Sequence, residues 1–345
     1  MHKMLGGRKA MQREKVAYFD LMRAVAAIAV VTIHVLGPYR HQLGMVADSE
    51  WLTAIVINSG SRWAVPMFIM ISGALFLSDT RPFDGGYYLK RRVGKVLVPF
   101  LCWSLLYAGL SGVTMTGFDF AEVAGRIKAL PYHETYYHLG FFYYFLPLYL
   151  VVPFLRYLCQ NKATVIVPTM LLLWGVAVSA NLLKIDGVWS HDMLFYSGYL
   201  LLGYWLYQSP SASWRTWAMV GGGVMMVTAV MVIMPSLALG QYTVGRWLSY
   251  KTINTALIAA AVFVVCQHGY AGLSASWKRR ASELSRYSLG VYLLHPLVLW
   301  PVREFDLYWG PAWLVIPFWT IVAVLLSWQA TRWLAGRPAI AWLVP

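Results

Sequence analysis

Three ionisable residues stand in the stretch Tyr18 to Tyr39, YFDLMRAVAAIAVVTIHVLGPY, which is otherwise apolar enough to cross a bilayer. They are Asp20, Arg23 and His34. Each costs on the order of 2.5 kcal/mol or more near the middle of a membrane if unpaired, so their presence asks for a use. Arg23 and His34 are eleven residues apart, which at about 100° per residue is only about 20° beyond three full turns; they share one helical face, about 16.5 Å apart along the axis. Asp20 precedes Arg23 by three and falls on the same stripe, close enough to pair with it. An imidazole titrates near neutral pH and can take a proton from a hydroxyl or thiol. Such a stripe reads either as a reactive site facing a bundle, or as an interfacial Asp–Arg pair plus one hydrogen-bonded histidine.

A stripe of this kind needs other helices to face, and the composition supplies them. Of 345 residues 59% are hydrophobic, 16% aromatic and 12% charged, the balance of an all-α polytopic membrane protein. Apolar stretches of membrane length fall at about 17–37, 52–77, 93–113, 137–157, 163–183, 192–208, 215–234, 248–270, 287–303 and 311–334, which predicts about ten transmembrane helices. No polar stretch is long enough for a second domain, so residues 1–345 read as one membrane-embedded domain with a basic cytoplasmic tail at 1–16. The first apolar stretch reads as a retained helix, since Arg23 interrupts it and no small-x-small cleavage site follows. Nineteen of the 28 Lys and Arg residues lie on the N-terminal side of the expected membrane and seven on the other, which predicts cytoplasmic N- and C-termini.

The same loop charges account for the net charge of +14, so no nucleic acid is expected as a partner; the expected surroundings are a lipid bilayer. Cys102, Cys159 and Cys266 are odd in number, far apart and inside apolar runs, with neither disulfide nor metal spacing. The histidines of HETYYH, residues 133–138, are five apart rather than the four that place two on one helical face. No metal site is expected.

Further polar residues gather along the spans. Arg62, with Asn58 nearby, either orients a substrate or snorkels to the interface. His138 and Glu134, four apart, stand where they can hydrogen-bond a sugar, and His295 before Pro296 either lines the same space or is a capped structural histidine. Ser72-Gly73 reads as close helix packing. In GGYYLKRRVGK, Lys90, Arg91, Arg92 and Lys95 crowd the expected cytoplasmic end of the third span; they are either its topological anchor or a docking site for phosphate groups.

Five stretches together carry a resemblance. They are FDLMRAVAAIAVVTIHV with Arg23-x10-His34, NSGSRWAVPMFIMISGALFL (58–77), YLKRRVGKVLVPFLCWSLLY (88–107), YYHLGFFYYFLPLYLVVPFLR (136–156) and YSLGVYLLHPLVL (287–299). In order and position they resemble acyltransferase family 3, integral-membrane O-acyltransferases, and within it the short single-domain polysaccharide O-acetyltransferases of the enterobacterial common antigen type. The resemblance implies an enzyme of the bacterial inner membrane that uses cytoplasmic acyl-coenzyme A, acetyl-coenzyme A in the first instance, as co-substrate with no permanently bound cofactor. It implies a hydroxyl of an envelope glycan or lipid-linked glycan precursor as acceptor. It assigns His34 as base or acyl carrier, Arg23 as support for the donor, and Arg92 and Lys95, then Arg91 and Lys90, as donor-binding residues. Two positions depart from the family: Lys95 stands where Arg is frequent, replacing a guanidinium fork by a point charge, and Gly140 stands where the family has Trp. The alternative is a secondary transporter or flippase of a lipid-linked sugar using the same residues as a proton relay, against which stands the lack of a visible internal repeat. Acceptor, acyl length and oligomeric state are not specified by the sequence.

Overall fold

A computed structural model describes residues 16–114, 117–210 and 213–344, without the side chains of 91–93 and 162–163. All but the last residue of the expected basic tail, and the side chains of Arg91 and Arg92, therefore lie outside the described residues. The helices in chain order are α1 (Tyr18–Val35), α2 (Asp48–Ser61), α3 (Ala64–Leu77), α4 (Gly85–Ser111), α5 (Phe120–Ala129), α6 (Gly140–Leu182), α7 (Asp192–Gln208), α8 (Trp214–Leu239), α9 (Ile253–Gly272), α10 (Ala275–Arg286), α11 (Ser288–Glu304) and α12 (Ala312–Ala335). Among the described residues, strand pairing is confined to a short hairpin of Val113–Thr114 against Gly117–Phe118. The side chains of Asp84, Asp119 and Ser274 accept first-turn N–H groups and start α4, α5 and α10.

Among the described residues, eight stretches are long and apolar enough to cross a membrane, so the chain is an all-α polytopic membrane protein. The helices expected at 192–208 and 287–303 form there as α7 and α11, but each is 17 residues long, below the roughly 20 that span the hydrocarbon unaided. The expected span 52–77 is one membrane-length stretch, Asp48–Leu77, built of two helices that meet at Arg62–Trp63. Pro66 explains the break: it has no N–H to return to the Arg62 carbonyl, and its ring crowds the turn before it. The expected spans 137–157 and 163–183 are both present, as the two membrane-length stretches Gly140–Asn161 and Thr164–Leu182 of the helical segment α6. Tyr144 and Trp174 pack on α7 one turn apart, against Tyr196 and Tyr199, whereas a straight helix would hold them about 45 Å apart, so the chain turns back between the two stretches.

Helix α1 lies at the centre, packed against α2, α3, α9, α10, α11 and α12. That position explains how a helix with an ionisable stripe is tolerated, since its polar face meets protein and not lipid. Its apolar face joins α3, α6, α7 and α9 in the largest core, around Met22, Ala26, Met67, Tyr199 and Phe263. The tightest contact in that core is between α3 and α7, which run antiparallel. A β-carbon on Gly73 would fall into the Leu200 carbonyl, and one on Gly203 into the Met70 carbonyl. The expected small-residue packing at Gly73 is therefore realised as backbone-to-backbone contact, and it holds α3 rigidly beside α1.

Gly203→Ala is expected to lower stability by about 1–3 kcal/mol, the usual cost of overpacking. Gly175→Ala, where no neighbour lies within 4 Å of the new carbon, is expected to be neutral or to gain up to about 1 kcal/mol of helix propensity. Thermal unfolding in detergent compares the two; equal midpoints would contradict the packing described.

Candidate functional site

His34 sits in the last turn of α1 and meets a histidine 261 residues further along the chain: its Nδ1 is 2.7 Å from Nε2 of His295 on α11. The ring planes diverge by only 3° while the centroids are 4.9 Å apart. With nitrogens so close, the rings meet edge to edge in nearly one plane, as an N–H···N bond requires. The other nitrogen of His295, Nδ1, is 3.1 Å from the Val291 carbonyl one turn earlier. A carbonyl only accepts, so His295 carries its proton on Nδ1, and its Nε2 is the acceptor. His34 must then donate from Nδ1. Its Nε2 is left with a free lone pair, the arrangement of a general base oriented by a partner.

A cavity of about 370 Å³ opens beside His34, walled also by His138, Glu134, Gly140 and the tyrosines Tyr137, Tyr144, Tyr196, Tyr250 and Tyr292. His138 is 3% exposed, and neither of its ring nitrogens has a hydrogen-bond partner among the described residues. Its ring centroid is 5.6 Å from that of His295. The Tyr292 hydroxyl donates to the His138 carbonyl and fixes the entry to α6 against α11. A β-carbon on Gly140 would stand 3.5 Å from the Glu134 carboxyl carbon, so a larger residue here would project into the cavity. Glycine here thus leaves room next to His34.

At the other end of the stripe Arg23 pairs with Asp20 at 3.6 Å, and Asp20 also accepts from Ser285 of α10 at 2.9 Å. Arg23 lines a second cavity of about 200 Å³, which shares Val30, Val65, Phe141 and Tyr292 with the walls of the His34 cavity. The two spaces abut. A third, of about 390 Å³, lies beside Arg81, Phe83, Tyr87 and Arg156. Arg81 hydrogen-bonds Asp79 and holds that carboxyl down to about 2, so its charge is answered, whereas Arg156 Nε is buried without a partner. Tyr88, in the wall of this third space, donates to the carbonyl of Tyr149, in the wall of the second, at 3.1 Å. Along α6 the residues Arg156, Val152, Tyr149, Phe145 and Phe141 face these cavities in turn; their spacing of three and four is one helical face.

Thus the structure brings His34, His138, His295 and Glu134 together and places Arg23, held by Asp20, one cavity away. Asn58 is fully buried with both amide atoms unpartnered, and it lines none of these spaces. Lys90 and Lys95 are exposed on α4 and line none of them either, although Val96 borders the Arg23 cavity. Arg62 caps α2 and reaches the His34 cavity through Tyr250, to whose hydroxyl it donates at 3.1 Å. Arg303, the last residue of the expected span 287–303, donates to the His34 carbonyl at 2.6 Å and lies 4.5 Å from the centre of the Tyr137 ring. It adds a charged donor to a carbonyl that also accepts from the Gly37 N–H at 3.3 Å, in the last turn of α1, where a cation is favoured. Its eight-residue distance from His295 on one helix was the available signal.

A stretch of 121 residues is 32% identical to succinoglycan biosynthesis protein ExoH of Rhizobium meliloti (strain 1021), and it covers 33% of this chain and 32% of that one. The chain thus matches about a third of the length of this curated relative. No solved structure gives a significant match. The family model described as an acyltransferase domain, that of acyltransferase family 3, matches residues 16–332. This chain, with its paired histidines at the centre of a membrane bundle, belongs to acyltransferase family 3.

Proposed function

We propose that this protein is an O-acyltransferase of the bacterial inner membrane that moves an acyl group, acetyl in the first instance, from cytoplasmic acyl-coenzyme A to a hydroxyl of an envelope glycan or its lipid-linked precursor. The observation that carries the reading is the His34–His295 contact, which leaves a lone pair on His34 Nε2 beside a cavity of substrate size. The family supports acyl transfer, and the similarity to a succinoglycan biosynthesis protein supports a polysaccharide as acceptor.

In this reading the acceptor enters the His34 cavity, where tyrosine faces and the Glu134 carboxylate suit a hydroxyl-rich ring. His34 Nε2 takes the hydroxyl proton as that oxygen attacks the thioester carbonyl carbon. The carbon–sulfur bond then breaks, and sulfur leaves with the electron pair and takes the proton from the imidazolium. The products are the ester and the free coenzyme thiol, and His34 returns to its starting tautomer. While the imidazolium exists, its Nδ1–H remains bonded to His295 Nε2, which steadies the charge. His138, with both nitrogens unpartnered, is the nearby group able to donate to the oxyanion of the tetrahedral intermediate.

The donor's headgroup is assigned to the end marked by Arg81, Arg156 and the basic start of α4, including Lys90 and Lys95 together with Arg91 and Arg92. The face of α6 from Arg156 to Phe141 rises about 22 Å, a length that an extended pantetheine arm can follow past Arg23 to His34. Lys278, Arg279, Arg280 and Arg286 of α10 gather at this same end, since Ser285 meets Asp20 there; their charge supports its being the cytoplasmic one.

Purified protein with labelled acetyl-coenzyme A and a glycan acceptor tests this through coenzyme release and ester formation. His34→Ala is expected to lose about 10²–10⁴-fold in kcat, the worth of a general base; a folded variant that transfers at the wild-type rate would sink the assignment. His295→Leu frees the His34 ring and is expected to lose on the order of 10²-fold or more. His295→Gln, whose amide oxygen can accept the His34 N–H, restores part of that activity; equal loss in both would mean that only packing is at stake. Arg23→Ala is expected to raise the KM for acetyl-coenzyme A more than it lowers kcat.

A further inference from the structure

Three guanidinium groups crowd the His34 end of the bundle without a carboxylate to answer them. Arg40 lies in the short turn Pro38–His41 after α1, Arg62 at the break between α2 and α3, and Arg303 near the end of α11. Side-chain nitrogens of Arg303 and Arg40 stand 3.6 and 3.8 Å from where a β-carbon on Gly37 would be, so these two are neighbours. Burial first, and next the charge of Arg62, push the Arg40 guanidinium below its usual value, so these two cations repel one another. Among the described residues none of the three takes part in an ion pair.

Arg303 is occupied by the His34 carbonyl and the Tyr137 ring. Arg40 and Arg62 are held only by neutral groups. Arg40 donates to the Gly37 carbonyl at 3.5 Å and lies within electrostatic reach of the Tyr242 hydroxyl. Arg62 donates to the Tyr250 hydroxyl at 3.1 Å, with its guanidinium 5.3 Å from that ring's centre, and its Nε is buried with no partner. Glu50 accepts from the Ala312 N–H and, among the described residues, forms no ion pair with either arginine. Like charges brought together in a partly buried place destabilise one another. Tyrosines that stand beside them without neutralising them leave two planar forks aimed at an anion. Tyr250 is also a wall of the His34 cavity, so Arg62 is one hydrogen bond away from the space where the acceptor is placed.

We propose that Arg40 and Arg62, backed by Tyr242 and Tyr250, form an anion subsite for the acceptor, so that the glycan acylated here carries a carboxylate or phosphate close to the reacting hydroxyl. This rests on the acyl-transfer reading and names its substrate class. The guanidinium fork suits both anions, and separate probes distinguish a uronate-bearing sugar from one carrying phosphate.

The test uses the full chain in detergent and three matched oligosaccharides: neutral, bearing glucuronate, and bearing a sugar phosphate. In a transfer assay with labelled acetyl-coenzyme A, at least one anionic acceptor is expected to exceed the neutral one tenfold or more in kcat/KM. Arg40→Gln with Arg62→Gln is expected to erase that preference while leaving the KM for acetyl-coenzyme A unmoved. No preference in the wild type overturns the proposal, as does a variant whose defect lies in donor KM. A binding arm needs no turnover: the thermal midpoint of the wild type is expected to rise saturably with an anionic probe but not with the neutral one, and the double variant is expected not to respond. Anionic binding without transfer would retain the subsite and overturn the acyl-transfer reading; transfer indifferent to charge would do the reverse.

Discussion

Nδ1 of His295 faces the carbonyl of Val291 one turn earlier in α11, and because a carbonyl has no proton to give, that contact orients a chain of donors ending in the cavity. His295 must accept at Nε2, His34 must donate at Nδ1, and the remaining nitrogen of His34 keeps a free lone pair. In the proposed reaction, the role of the acidic member in a hydrolytic triad, which fixes the tautomer of the working imidazole, falls to a second neutral imidazole and a peptide carbonyl.

Much of the fold reads as the frame for that contact. The two histidines come from helices at opposite ends of the chain, and α1 can offer its polar face to α11 only because α1 is surrounded by protein. The interlocked glycines of α3 and α7 bring backbones together on the other flank. Arg303 clamps the last turn of α1 from α11, and Ser285 of α10 holds Asp20 at its first. Both ends of the reactive helix are thus tied to neighbouring polar groups, while its middle is packed by apolar side chains.

The parts legible in the sequence were those governed by local helical geometry. The shared face of Arg23 and His34 and the Asp20–Arg23 pair follow from residue spacing alone, and both appear in the structure. Contacts made across the fold were less visible. No pattern within one helix says that His295 meets His34, and Arg303 looked like an ordinary charge at the end of an apolar run. Hydropathy marked 52–77 as one membrane-length stretch and 137–157 and 163–183 as two, as the structure has them, but it did not show the break at Arg62–Trp63, since Pro66 changes backbone bonding without changing polarity. Arg91 and Arg92, whose side chains are not described, keep the standing the sequence gives them as candidates for the donor.

The tautomer of His34 is the most direct quantity to measure. Nitrogen-15 NMR of histidine-labelled protein in detergent, with His34 assigned through His34→Gln, reports which ring nitrogen carries hydrogen. A protonated Nδ1 and an unprotonated Nε2 on His34, with that preference lost in His295→Leu, is the predicted result. A proton on Nε2 of His34 in the resting protein would contradict the account, because the nitrogen assigned to take the acceptor's proton would already be occupied.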